Sequence, residues 1–205
     1  MRMEFLEAMT HRFACKKYDT TRSIGEAQLK EILEYGRLTP TSFGLELWSF
    51  AVVRTQEKKQ ELFHACFDQE SVATSAVAIV VLSRTEAFAN PDGELVHERG
   101  RRFPDPLPVF IDDYRPYYDF LKAEGKLSCW LKSQGYLAIA NMMTGAAAMG
   151  IQSCAIEGFH EEKVLQVLAC NPNLWQVSLI ATFGYPAEEE RPKIRESLQD
   201  LVTYH

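Results

Sequence analysis

The chain has 205 residues, 46% of them apolar and 24% charged, with a formal net charge of −6. That apolar share can bury a sizeable core within one domain spanning residues 1–205, and it argues against wholesale disorder. The acidic balance speaks against nucleic acid or an anionic membrane as the main partner, because both require basic patches.

The first residues, MRMEFLEAMTHRF, have neither the apolar core nor the small-residue cleavage site of a secretory leader. The longest apolar stretch runs from Tyr136 to Met149, about 14 residues against the roughly 20 a bilayer span requires. A soluble, cytoplasmic protein is expected. The five cysteines, Cys15, Cys66, Cys129, Cys154 and Cys170, are odd in number and widely spaced. They fit reduced core thiols, and no metal site is expected.

In chain order, Leu29, Ile32, Leu33 and Gly36 share one face of a helix over 26–38, which stops before Pro40. Trp48–Val53 reads as a strand, 57–64 as a polar helix and 76–82 as a buried strand. The segment 85–112 is rich in charge, Pro and Gly and reads as an irregular excursion into a helix near 109–124. Ser128–Met149 is the clearest helix, 22 residues and about 33 Å long, with Gly150 as its C-terminal stop. Its small residues Gly145, Ala146, Ala147 and Ala148 suit either internal packing or a subunit interface. A strand over 151–156, a helix over 161–170 and a strand over 177–183 follow, and the tail closes on a strand-like Leu201–Tyr204. Helices and strands alternate without a regular βαβ rhythm, so the fold class is α+β with a mixed sheet flanked by helices.

The chain lacks G-x-G-x-x-G, G-x-x-x-x-G-K-[ST], H-E-x-x-H and G-x-S-x-G, which removes the best support for several standard enzyme classes. Four short segments could carry chemistry instead. In His11-Arg12-Phe13-Ala14-Cys15-Lys16, a helical path would set Arg12 and Lys16 on one face, where two cations can grip a phosphate. Pro40-Thr41-Ser42-Phe43-Gly44 offers two hydroxyls and a glycine that lets backbone approach a ligand. Ile156-Glu157-Gly158 ends a strand with a carboxylate and a second permissive glycine. Lys193 and Arg195 alternate, so an extended chain points them the same way. Taken singly, each segment also reads as a solvated patch, a capping turn or a charged tail.

Their order and separation resemble one family, the FMN-dependent nitroreductases. The resemblance rests on Arg12-x-Ala14-x-Lys16, Pro40-Thr41-Ser42 before Trp48, and the long helix ending at Gly150. It continues through Glu157-Gly158, the strand closing Gly184-Tyr185-Pro186, and Lys193-x-Arg195. The resemblance implies that Arg12, Phe13, Ala14, Lys16, Lys193 and Arg195 surround the FMN phosphate and ribityl chain. It implies that Pro40, Thr41, Ser42 and Gly44 come from the other subunit of a homodimer, and that Gln69 contacts the flavin ring. Ile156, Glu157 and Gly158 would face the flavin N5 side, while Phe43, Tyr117 and Phe120 would line the substrate pocket. The long helix would lie at the dimer interface and the C-terminal segment would extend onto the partner. NADH or NADPH would donate hydride through N5 to nitroaromatics, quinones or similar acceptors in a ping-pong sequence. Two other readings are a flavin binder without turnover and a same-fold enzyme of different reaction, such as enoyl oxidation or dehalogenation. Ala14, Gly44, Leu47 and Val72 depart from the family pattern, which usually has Ser, Asn, Pro and, in some members, Lys there.

Overall fold

The computed structural model describes residues 3–205. Four strands form its sheet: β1 Trp48–Val53, β2 Val77–Arg84, β3 Gln152–Ile156 and β4 Trp175–Gly184. They lie in the order β1-β2-β4-β3 and pair antiparallel in all three ladders. Among the described residues the single parallel pairing is the bridge between Ala14 and Ser153, so the mixed character of the sheet is confined there to its β3 edge. Val77–Ser83 are all buried, as expected of a strand covered on both faces.

The helices are α1 Phe5–His11, α2 Glu26–Arg37, α3 Gln56–Ala65, α4 Glu70–Thr74, α5 Glu94–Gly100, α6 Leu107–Ala123, α7 Leu127–Ala148, α8 Glu161–Val167 and α9 Leu198–Leu201. On one sheet face α2 and α7 pack over Ile79, Val81, Leu179 and Ala181. The other face carries α3 and α8 over Ala78, Val80, Leu82 and Ile180. A third cluster holds α6 and the start of α7 together through Tyr114, Tyr118, Trp130 and Leu131.

Helix α7 carries apolar residues on nearly all sides because it has the sheet on one side and α1, α2 and α6 around it. Its stop follows the sequence expectation. Gly150 has φ +74°, its N–H donates to the Ala147 carbonyl at 2.9 Å, and the Ile151 N–H donates to Ala146 at 3.0 Å. These two bonds make a Schellman motif, which glycine closes without Cβ strain. No helix among the described residues is long and apolar enough to cross a membrane.

Two expectations are corrected. The segment after His11 is not helical: Arg12 is extended, with φ −61° and ψ 128°, and Ala14 joins the β3 edge. Nor is the tail a strand up to Tyr204. Leu198–Leu201 form a helical turn, capped by Ser197 Oγ accepting from the Asp200 N–H at 3.2 Å, and 202–205 pair with nothing regular. A strand requires a ladder partner, and one chain offers none there, so the local cap decides. The excursion at 85–112 also contains α5, whose short apolar face at Leu95 and Val96 is hidden among charges.

Gly135 lets α7 settle onto the sheet. A Cβ there would lie 2.5 Å from Ser178 Cβ and 3.0 Å from Val81 Cγ1. Gly135→Ala should therefore lower the urea unfolding midpoint. Overpacking of about 1–3 kcal/mol outweighs the helix-propensity gain of about 1 kcal/mol. An unchanged or raised midpoint would show that the helix can move outward freely.

Candidate functional site

The period of the extended chain, not of a helix, brings Arg12, Ala14 and Lys16 to one side of the segment bridged to β3. The C-terminal arm returns to meet them. Arg12, Phe13, Ala14, Lys16, Lys193 and Arg195 line one cleft of about 270 Å³ together with Arg191, Pro192 and Ile194. The arm is tied down where the Lys193 ammonium donates to the Arg12 carbonyl and the Lys16 N–H donates to the Glu188 carboxylate. Phe13 is buried, and its N–H donates to Gln152 Oε1 at 3.1 Å, which fixes the backbone between the two cations.

None of Arg12, Lys16, Lys193 and Arg195 is ion-paired with a carboxylate among the described residues. Their charges repel one another instead. Partial burial, and then Arg195, depress the proton affinity of Arg12. Burial, Arg12 and Arg195 depress that of Lys193. Four cations free of direct carboxylate pairing are suited to an anion, and their fork-shaped guanidinium groups match phosphate oxygens.

Beside this cleft β3 ends at Ile156, which is fully buried. Glu157 follows, exposed, next to Tyr136 of α7, whose hydroxyl proton is held more tightly through partial burial and the Glu157 carboxylate. Gly158 is pinned by Gln69, whose Nε2 donates to the carbonyls of Gly158 and Cys66, both at 2.9 Å. The Phe67 ring covers Gly158 so closely that a Cβ there would lie 2.9 Å from Phe67 Cδ2. Phe67 and Asp68 both adopt left-handed backbone, φ 55° and 52°, a strained turn that brings Gln69 to this position.

The loop from Pro40 to Gly44 lies elsewhere. It leads into β1, at the sheet edge opposite β3. Ser42 donates its N–H to Gln134 Oε1 of α7 at 2.9 Å, and Thr41 Oγ1 accepts from the Glu46 N–H at 3.2 Å. Pro40 is exposed, while Thr41, Ser42, Phe43 and Gly44 are half-buried. Phe43 meets Tyr114 at 5.1 Å and Tyr117 at 5.7 Å between ring centroids, and Tyr117 stacks on Phe120 at 6.4 Å. Phe43, Tyr117 and Phe120 thus form one aromatic wall beside the loop. Tyr114 and Tyr118 belong to the core instead, and the Tyr114 hydroxyl donates to the Ala89 carbonyl at 2.7 Å.

A sequence model of the nitroreductase family matches residues 9–185. The chain belongs to the nitroreductase family. A Staphylococcus epidermidis protein named as a candidate NAD(P)H nitroreductase is 32% identical over 215 residues, covering 100% of this chain and 98% of the relative. Among solved structures, a candidate NAD(P)H:FMN oxidoreductase of Staphylococcus epidermidis superposes with a TM-score of 0.84 at 20% identity, covering 100% of this chain and 98% of the other. A candidate nitroreductase from Exiguobacterium sibiricum, solved in complex with FMN, superposes with a TM-score of 0.80 at 20% identity, covering 99% and 98%. These likenesses establish a nitroreductase fold.

Within that fold, two departures from the family pattern have local reasons. Val72 is fully buried in the core under α3 and α4, where packing calls for an apolar side chain. Gly44 has φ +58°, and the Phe103 ring fills the space beside it. Gln134 escaped the sequence reading, because one glutamine on a long helix carries no local signal. Its position one residue before the close-packed Gly135 fixes it against the loop.

The cleft generates a pH prediction. Depressed proton affinity means that the charged form of Lys193 is disfavoured in the ligand-free protein and is restored by an anion. Burial of the charge, and then repulsion by Arg12 and Arg195, oppose folding while Lys193 is charged, and this penalty fades as pH rises through its lowered value. Inorganic phosphate affinity, measured by calorimetry, should fall with rising pH and begin falling below the ordinary lysine range. Lys193→Ala should abolish that early fall; its persistence would place the titrating group elsewhere.

Proposed function

We propose that this protein is an FMN-dependent oxidoreductase of one domain that works as a homodimer in the cytoplasm, with NADH or NADPH as donor. The observation that carries this reading is the convergence of Arg12, Lys16, Lys193 and Arg195 on one cleft with no carboxylate among them. A phosphate monoester fits that charge and those donors. FMN binding by the Exiguobacterium relative supports the cofactor, and the naming of the Staphylococcus relative supports the donor class.

The chain's residues divide the work. Arg12, Lys16, Lys193 and Arg195 hold the phosphate, with Phe13 and Ala14 supplying the backbone between them. Gln69 orients Gly158, and Ile156, Glu157 and Gly158 present backbone to the flavin N5 side. When bound, FMN supplies hydride acceptance at N5 and delivery to a second substrate from the same place. Phe43, Tyr117 and Phe120 offer flat apolar surface to a nitroaromatic, quinone or similar acceptor, and exclude water from it.

Sheet order supports a second subunit. Pro40, Thr41, Ser42 and Gly44 sit at the β1 edge, and the cations sit at the β3 edge. Three inter-strand steps of about 4.8 Å separate those edges, which supports one copy's loop completing another copy's site. Exposed Phe5, Leu6, Leu137, Leu198, Leu201 and Tyr204 give a second copy apolar surface to cover.

Purified protein scanned anaerobically should show the visible flavin band, bleach with NADH or NADPH, and recover on adding a quinone. A band that neither donor bleaches would leave a flavin binder without turnover, and no band after added FMN would end this reading. Arg12→Ala with Lys193→Ala should weaken FMN binding by about 1.5–3 kcal/mol for each lost charge-assisted contact. Equal FMN affinity in the double variant would remove these residues from the phosphate site. Light scattering should give about twice the 23.4 kDa chain mass, and a flavin-loaded monomer would refute the shared site.

A further inference from the structure

The Pro40–Leu47 loop follows a path that its own sequence does not favour. Phe43, Gly44 and Glu46 all have left-handed backbone, φ 54°, 58° and 46°. Two of the three are not glycine, and such residues persist there only when their surroundings hold them. The loop's internal bonds are few: Gly44 N–H to the Thr41 carbonyl at 3.0 Å, Leu45 N–H to the Ser42 carbonyl at 3.3 Å, and Glu46 N–H to Thr41 Oγ1 at 3.2 Å.

Besides Gln134 and the rings against Phe43, the surroundings include the turn between α5 and α6. Arg102 reaches the loop twice, Nη1 to Glu46 Oε2 at 2.7 Å and Nη2 to the Gly44 carbonyl at 3.3 Å. The Phe103 ring lies on Gly44 so closely that a Cβ there would lie 2.4 Å from Phe103 Cζ. Phe103 in turn stacks on Phe110 of α6, centroids 5.4 Å apart and planes 17° apart. The turn has its own footing. Gly100 packs against Phe110 and Leu107, and Arg115 of α6 grips Asp92 with bonds of 3.0 and 2.5 Å.

We propose that Arg102 and Phe103 are positioning residues that hold the Thr41–Leu47 loop in its left-handed path, in the space that a glycine at position 44 leaves open. The excursion and the loop then move as one body, so the aromatic wall of Phe43, Tyr117 and Phe120 keeps a fixed register to Thr41 and Ser42. An exposed ion pair alone contributes little. The ring on Gly44 therefore carries more of the hold than the charge, and its loss should do the greater harm. The consequence for turnover rests on the functional reading above, whereas the clamp itself does not.

The test uses full-length protein with added FMN and hydrogen exchange read by mass spectrometry. Phe103→Ala should speed exchange in peptides covering 41–47 by tenfold or more, and leave peptides of α7 unchanged. Arg102→Ala should speed it about threefold, and Phe103→Leu should stay within threefold of the parent. With menadione as acceptor, Phe103→Ala should raise KM at least fivefold while kcat stays within twofold. A steric cycle adds an independent arm: Gly44→Ala should lower the urea midpoint less in the Phe103→Ala background than in the parent. Loop exchange within twofold of the parent in the Arg102→Ala, Phe103→Ala double variant would overturn the clamp, as would an equal effect of Gly44→Ala in both backgrounds. Fast loop exchange in a protein that takes up no flavin would support the clamp and refute the functional reading instead.

Discussion

The close seat of α7 on the sheet is the contact on which the remaining architecture depends. Gly135 makes it possible, and Gly145 does the same for the seat of α2 on α7. Gly135 admits Ser178 and Val81, and Gly145 admits the Tyr35 ring of α2 at a distance no side chain would allow. With the axis so near, Ile139 and Met142 are buried in the layer between sheet and helix. The flanking residues then have no choice of place. Gln134, one residue before Gly135, meets the Ser42 amide, and Tyr136, one residue after it, lies by Glu157. One helix thereby touches both candidate half-sites, at opposite edges of the sheet.

Those half-sites are stabilised by different means. The β3-edge cleft is electrostatic. Burial and, after it, mutual repulsion depress the proton affinities of Arg12 and Lys193, and the arm that brings Lys193 is held in part by the Arg12 carbonyl. Such a site is poised for an anion, because ligand charge relieves a strain already present. The β1-edge loop is steric. Its left-handed residues are maintained by an aromatic ring and a guanidinium from a separate segment. The arm and the loop both lie at the periphery of the core, where packing leaves room for ligand-dependent order.

The buried thiols belong to the architecture. Burial pushes the Cys15 and Cys66 thiols up to about 12, which keeps them protonated and unreactive in the core. Cys154 lies at the junction between core and cleft, where the Lys16 ammonium donates to its sulfur at 3.2 Å. Cys129 alone of the five is exposed.

The sequence by itself determined the helices and strands whose periodicity is long enough to read: Leu29-Ile32-Gly36 on α2, the continuous apolar runs of β2 and β4, and α7 with its glycine stop. It also marked the segments that carry the candidate site's cations, hydroxyls and glycines, since their placement is a local property. What only the tertiary structure decided was how those segments meet. Arg12 and Lys16 share a side because a bridge to Ser153 keeps the chain extended, and no residue between them announces that bridge. The α9 turn replaced the expected strand because a ladder partner is not a property of the tail. Gln134 and Phe103 gained their places through contacts 92 and 59 residues away, at Ser42 and Gly44. Local composition cannot encode such pairings, because their energy exists only once a close-packed helix and an anchored turn have brought distant residues within van der Waals reach.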